Sequence, residues 1–276
     1  MRAVTDAERA AFTADGVVCL RHALHPDVLA AMAGPVGTAL QSDATAELSA
    51  FAPSSTGRFA AGVDHWRDQP EFRAFACAGD LPRLVASLLA TPTLWLYEDS
   101  LLVKEPGTDV PTRWHQDLGY FQVEGDRLAT TWCPLDVVTE ATGAVRYARG
   151  SHRWDATYRP NLFVTDDAIP GTDGTEVPDV DALAAAGDCE IVTFDTAPGD
   201  VVVHHARTLH AAGPNRSATT RRRAISVRYC GDDVRTRLRP GAPRKPHQDE
   251  WADGVALRDL DPGEHPQVWR PPAPLG

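Results

Sequence analysis

The sequence predicts a mainly β protein, an antiparallel sandwich or barrel, with helices flanking it at the N-terminal end. Three observations lead there. Past Thr91 the apolar stretches are short and bounded by turn residues such as Pro106-Gly107, Thr142-Gly143 and Pro198-Gly199-Asp200. No helical periodicity separates these stretches, which speaks against a parallel α/β sheet. The first 90 residues instead show helix caps and a period near four.

The helical part begins with Thr5 and Glu8 in capping-box spacing ahead of Ala10, Ala11 and Phe12, with Gly16 as the stop. A short strand, Val17 to Leu20, follows. Pro26 opens a second helix with Val28, Met32, Val36 and Leu40 on one stripe, which Pro35 bends or shortens. Residues 43–66 are rich in Ala, Ser, Thr and Gly and read as loop. Two further helices are expected at about Pro70 to Ala78 and Leu81 to Leu89. Strands are then expected at Leu94–Tyr97, Leu101–Lys104, Leu128–Trp132, Ala144–Tyr147, Ile191–Phe194, Val201–His205 and Arg223–Cys230. Residues 155–188, rich in Asp, Pro, Gly and Thr, interrupt the strands as one long insertion. An insertion of that length is expected to act as a lid. The last 35 residues, rich in Pro and charge, are expected to wrap the surface. The whole is read as one domain over 1–276, with a helical part to about 90 and a β core over about 91–232.

Composition narrows the function. The net charge of −11 disfavours nucleic acid and anionic membrane surfaces as partners, since both repel an acidic protein. No apolar run approaches the length of a spanning helix, and no signal-peptide pattern is seen, so a cytoplasmic location is expected. The five cysteines, Cys19, Cys77, Cys133, Cys189 and Cys230, form no C-x-x-C pair and are expected as reduced thiols.

The tripeptide His-x-Asp carries chemistry. Two imidazoles and one carboxylate on a single octahedral face anchor Fe(II) and leave three positions for other ligands. The pattern occurs three times, at His25-Pro26-Asp27, His115-Gln116-Asp117 and His247-Gln248-Asp249. The first sits at a helix start, where Asp answers the helix dipole. The third lies in the Pro-rich tail with no strand after it to supply a partner. His115 and Asp117 lie in the β-rich half, so they are the ligand candidates. The third ligand comes from His204, His205 or His210. His210 is preferred because Ala211, Ala212 and Gly213 leave room beside it, His205 is second, and His204 is assigned a structural role. Arg221, Arg222 and Arg223 open the strand after His210. Alternation sets Arg222 on one face with Ala224 and Ser226, a small polar wall suited to a carboxylate held by a guanidinium.

These residues resemble the phytanoyl-CoA dioxygenase-like family. The resemblance is carried by Leu101-Leu102-Val103-Lys104-Glu105-Pro106-Gly107 and by Trp114-His115-Gln116-Asp117-Leu118-Gly119-Tyr120. It continues through Arg149-Gly150-Ser151-His152-Arg153, Gly199-Asp200-Val201, Arg207-Thr208-Leu209-His210 and Arg222-Arg223-Ala224-Ile225-Ser226, over roughly residues 10–230. It implies a double-stranded β-helix (jelly-roll, cupin-like) core and an oxygenase using Fe(II), 2-oxoglutarate as cosubstrate and O2. It also implies His115, Asp117 and His210 as metal ligands, Arg222 as the cosubstrate arginine, and Gln116 and Trp132 beside the cosubstrate. Ala212 stands where relatives often carry Ser, and the presence of Asp117 disfavours halogenation. The substrate is expected to be a small molecule, such as a secondary-metabolite intermediate, that is hydroxylated, epimerised, desaturated or cyclised. Two alternatives remain on the same donors. One is a cupin-type hydrolase or isomerase, for which Arg222 is unnecessary; the other is a non-catalytic metal-binding module. The sequence gives no oligomeric state.

Overall fold

A computed structural model describes residues 2–248, 251 and 258–271. Helix α1 (Asp6–Asp15) has the expected reciprocal cap between Thr5 and Glu8, and Gly16 ends it at φ 73°, a conformation suited to glycine. Strand β1 (Val17–Leu20) follows. The second helix is split into α2 (Pro26–Ala31) and α3 (Ala33–Ala39), with the break three residues ahead of Pro35. The stretch expected as loop contains a hairpin, β2 (Thr45–Glu47) and β3 (Phe59–Val63), which extends a sheet edge. Its small residues conceal a strand whose pairing partner, not its composition, fixes it. Helices α4 (His65–Asp68), α5 (Pro70–Cys77) and α6 (Asp80–Leu88) come next; α6 buries Leu81, Leu84, Val85 and Leu88 at helical spacing.

Strand β4 (Leu94–Lys104) runs unbroken through Glu98-Asp99-Ser100, where the sequence reads as two strands. Tertiary partners, not a turn, satisfy these polar residues. The Trp66 backbone N–H donates to Asp99 at 3.3 Å, and the Lys245 ammonium donates to Glu98 at 2.5 Å. The remaining strands are β5 (Thr112–His115), β6 (Val123–Glu124), β7 (Leu128–Pro134), β8 (Val145–Ala148), β9 (Ile191–Thr193), β10 (Val201–His205), β11 (His210–Ala212), β12 (Arg222–Cys230), β13 (Arg235–Thr236) and β14 (Gln267–Trp269). Helix α7 (Val180–Ala186) lies inside the long insertion, which the sequence reads as irregular.

Two antiparallel sheets face each other as a jelly roll. The larger runs β1-β10-β7-β12-β4-β3-β2, with β14 also on β4; the smaller runs β5-β11-β8-β9. Alternation decides what each face of the larger sheet does. Val201, Val203, Ile225, Val227 and Tyr229 turn outward, into one apolar cluster with α5 and α6. Trp132, Val202 and Ala224 turn inward and pack against Val145, Tyr147 and Ala212 of the smaller sheet. The polar residues on the inward faces, described below, meet in the space between the sheets. The C-terminal part does more than wrap the surface. Lys245 and His265 are buried, and the Lys245 ammonium also donates to Asp64. No helix among the described residues is long and apolar enough to cross a membrane. All five cysteines are free thiols.

Candidate metal and cosubstrate site

His115 ends β5, and the chain turns at Asp117 into a 3-10 turn. The i, i+2 spacing therefore sends both side chains into the inter-sheet space while Gln116 points away. His210 begins β11 and pairs in register with His115. The donor atoms of His115, Asp117 and His210 lie within 4.8 Å of one another, and all three residues are buried. Asp117 Oδ1 is 3.9 Å from His115 Nε2 and 3.8 Å from His210 Nε2.

Local hydrogen bonds prepare this set as a ligand set. His115 Nδ1 lies 2.8 Å from the Arg113 carbonyl and His210 Nδ1 lies 3.0 Å from the Thr208 carbonyl. A carbonyl only accepts, so each Nδ1 carries the hydrogen and each Nε2 presents its lone pair to the centre. Burial pushes the His115 imidazole down to about 3 and the His210 imidazole down to about 4, so both are neutral near pH 7. Asp117 behaves oppositely. Burial opposes its charge, but the hydrogen bond from His204 and nearby positive charge hold it well below the usual carboxylate range. Its Oδ2 accepts from the Thr130 hydroxyl at 2.5 Å and from His204 Nε2 at 3.2 Å. Oδ1 is left facing the two imidazoles. Two neutral nitrogens and one anionic oxygen form a donor set that fits a divalent transition metal.

Arg222 is 1% exposed and lines the same cavity as the three donors, with Trp132, Ser226, Tyr147 and Arg228. Its Nε and Nη2 donate to the Gly143 carbonyl at 3.2 and 2.8 Å, its guanidinium lies 5.2 Å from the Trp132 ring, and Nη1 has no partner. Burial lowers it to about 10, which still leaves it charged at neutral pH. The backbone therefore fixes one edge of the guanidinium, and a buried N–H remains for an anionic ligand. Lys104, paired in register with Arg222, is fully buried. Its side-chain nitrogen donates to the Gly213 carbonyl at 2.7 Å.

Gln116 does not line the cavity: its amide donates to the Arg207 carbonyl at 2.9 Å and accepts the Tyr158 N–H at 3.1 Å. It ties the His115–Asp117 turn to the loop before His210 and to the insertion. His204, read as structural, contacts Asp117, whereas His205 faces away and meets the Asp126 carbonyl at 2.7 Å. Period-two alternation puts His204 on the inner face, but only pairing shows that this face meets Asp117. Thr130 was missed because a threonine in an apolar strand is ordinarily a packing residue; its signal is its register opposite His204.

The insertion folds back onto this region. Phe163, at φ 69°, sets its ring 4.9 Å from His115 and 6.1 Å from Phe59. Its carbonyl accepts the Arg113 N–H, and α7 is pinned by the Trp114 indole and the Arg146 guanidinium, both donating to Asp181.

Comparison with known proteins agrees with this architecture. A probable alpha-ketoglutarate-dependent hypophosphite dioxygenase of Stutzerimonas stutzeri is 31% identical over 141 residues, 47% of this chain; the match spans only 43% of that relative. Among solved structures, the non-haem alpha-ketoglutarate-dependent carbocyclase SnoK from nogalamycin biosynthesis superposes with a TM-score of 0.74. It is 21% identical, over 96% of this chain and 97% of its own. The epimerase SnoN, solved with Fe3+, alpha-ketoglutarate and nogalamycin RO, gives 0.73 at 22% identity, over 96% and 98%. The family model of phytanoyl-CoA dioxygenase matches residues 12–224, a stretch that begins in α1 and ends on β12 just past Arg222. A match of that extent, through both sheets and every residue of the cavity up to Ala224, means that the chain belongs to the phytanoyl-CoA dioxygenase (PhyH) family.

Proposed function

We propose that the chain is an Fe(II)/2-oxoglutarate-dependent oxygenase acting on a small molecule, with His115, Asp117 and His210 as metal ligands and Arg222 as the anchor of the cosubstrate. One observation carries this reading. Two neutral imidazoles and an ionised carboxylate share a cavity with a buried arginine that keeps an unpaired N–H. Held by His115, Asp117 and His210, Fe(II) would supply the oxidising power, with 2-oxoglutarate and O2 giving succinate, CO2 and one oxygen atom that would end in a hydroxylated substrate or, on desaturation or cyclisation, in water.

The chain's own residues bind, orient and exclude water. Thr130 and His204 hold Asp117 Oδ2, so one carboxylate oxygen is reserved for the metal. The Arg113 and Thr208 carbonyls fix the tautomers of the two ligand imidazoles. Arg222 neutralises the cosubstrate's remote carboxylate, against a wall completed by Trp132 and Ser226. Phe163 covers His115, and residues 155–188 act as the lid whose side chains select the substrate. The substrate is hydroxylated or tailored by epimerisation, desaturation or cyclisation, and the protein works in the cytoplasm.

A cupin-type hydrolase or isomerase has no use for Arg222, and a non-catalytic metal-binding module has no use for a buried arginine that keeps an unpaired N–H beside the metal donors. Anaerobic Fe(II) plus 2-oxoglutarate is expected to give a weak visible charge-transfer band in the wild type. Asp117→Ala should remove or strongly alter it, and Arg222→Ala should raise the 2-oxoglutarate concentration needed. Tight Fe(II) binding with no band at any 2-oxoglutarate concentration would defeat the reading.

A further inference from the structure

Among the described residues, the cavity-lining donors that are buried without a partner are Arg222 Nη1, Trp132 Nε1, Tyr147 Oη and Arg228 Nε, and the Arg228 guanidinium is already engaged through Nη1 with Ser100 and Glu98. A buried polar group without a partner is costly, so the other three, which face the cavity from both sheets, mark a place where an acceptor binds. Arg222 and Trp132 belong to the reading above; Tyr147 does not. It sits on β8, 1% exposed, and pairs in register with His210, which itself pairs with His115. Its ring lies 6.0 Å from that of His210 and 5.3 Å from that of His204. A phenol carries its hydrogen at neutral pH and can donate it, and Arg222 lines the same cavity. Arg222 has already committed Nε and Nη2 to Gly143, whereas a carboxylate presents two oxygens.

We propose that Tyr147 is a further cosubstrate-binding residue, donating its phenolic hydrogen to the carboxylate remote from the metal, alongside Arg222. This rests on the 2-oxoglutarate reading and adds to it. The pair selects a dicarboxylic 2-oxo acid over a monocarboxylic one. Selection works because leaving Tyr147 and Arg222 unpaired under a shorter acid costs more than any contact that acid makes.

The test uses full-length protein loaded with Mn(II), with no turnover, titrated calorimetrically with 2-oxoglutarate and with 2-oxobutyrate, which lacks the remote carboxylate. The wild type is expected to prefer 2-oxoglutarate by about 100-fold or more. Tyr147→Phe should weaken 2-oxoglutarate binding roughly tenfold while leaving 2-oxobutyrate within about twofold. Tyr147→Gln, which restores a donor, should recover part of the preference. Because the hydroxyl has no partner in the unliganded protein, Tyr147→Phe should melt no lower than wild type. The proposal is overturned if Tyr147→Phe leaves 2-oxoglutarate affinity within twofold, weakens both acids alike, or melts clearly lower. A wild type that does not distinguish the two acids overturns the cosubstrate reading itself.

Discussion

Replacing His204 with Phe removes one of two donors that hold Asp117 while keeping a ring of similar size in the core. His204 is 2% exposed, and its Nε2 lies 3.2 Å from Asp117 Oδ2. Its Nδ1 is buried without a partner, so the substitution leaves no new unsatisfied group of its own. The loss is therefore concentrated on the carboxylate. Outer partners of metal ligands are typically worth about 10- to 100-fold in affinity, and a hydrogen bond to a buried charge about 1.5–3 kcal/mol. Fe(II) binding by His204→Phe is expected to weaken roughly tenfold in an anaerobic titration against a competing chelator. Thr130→Val should cost at least as much, since its 2.5 Å contact is the shorter of the two. The double variant leaves Oδ2 with no donor in a buried site. It should lose more than the sum of the singles, by about 0.5–3 kcal/mol of coupling. Affinity within twofold of wild type in either single variant would refute the reasoning. So would tighter binding in His204→Phe, because that means the released carboxylate chelates with both oxygens.

Gly143→Ala should weaken 2-oxoglutarate binding several-fold with Fe(II) affinity retained. Gly143 has φ 88°, and an added Cβ would lie 2.8 Å from the Gly213 carbonyl, so the carbonyl that anchors Arg222 must move; calorimetry on the two ligands separates the effects. The metal-free protein should lose stability steeply as pH falls from about 6.5 toward 4. Burial holds His115 near 3 and His205, His210 and His265 near 4, while the unfolded chain takes up protons at each below about 6.5. Asp99, raised by burial to about 7, works in the opposite sense but is one group against four. Each net proton is worth about 1.4 kcal/mol per pH unit, so urea midpoints at pH 7 and pH 5 should differ clearly, and equal midpoints would contradict the burial. Phe163→Ala should leave Fe(II) affinity within about twofold but increase succinate release without substrate, as the ring over His115 no longer shields the centre.

Much of the site was legible in the chain because it rests on short-range geometry. Two residues apart on an extended strand means one face, which joins His115 to Asp117, sends Gln116 away, and sets Arg222 with Ala224 and Ser226. Turn residues marked most strand ends, and the capping box of Thr5 and Glu8 formed as its spacing demands. Residues whose role depends on what comes from another strand were not legible. Thr130 and His204 read as packing until β7 and β10 align them beneath Asp117. Tyr147 reads as one more apolar strand residue until β8, β11 and β5 set it in a row with His210 and His115. Glu98-Asp99-Ser100 reads as a strand break because charge in mid-strand is costly unless partnered, and its partners, Trp66 and Lys245, lie far away in sequence. A sequence by itself determines which face a side chain takes; which face it meets is decided by sheet pairing, a long-range property that no local pattern encodes.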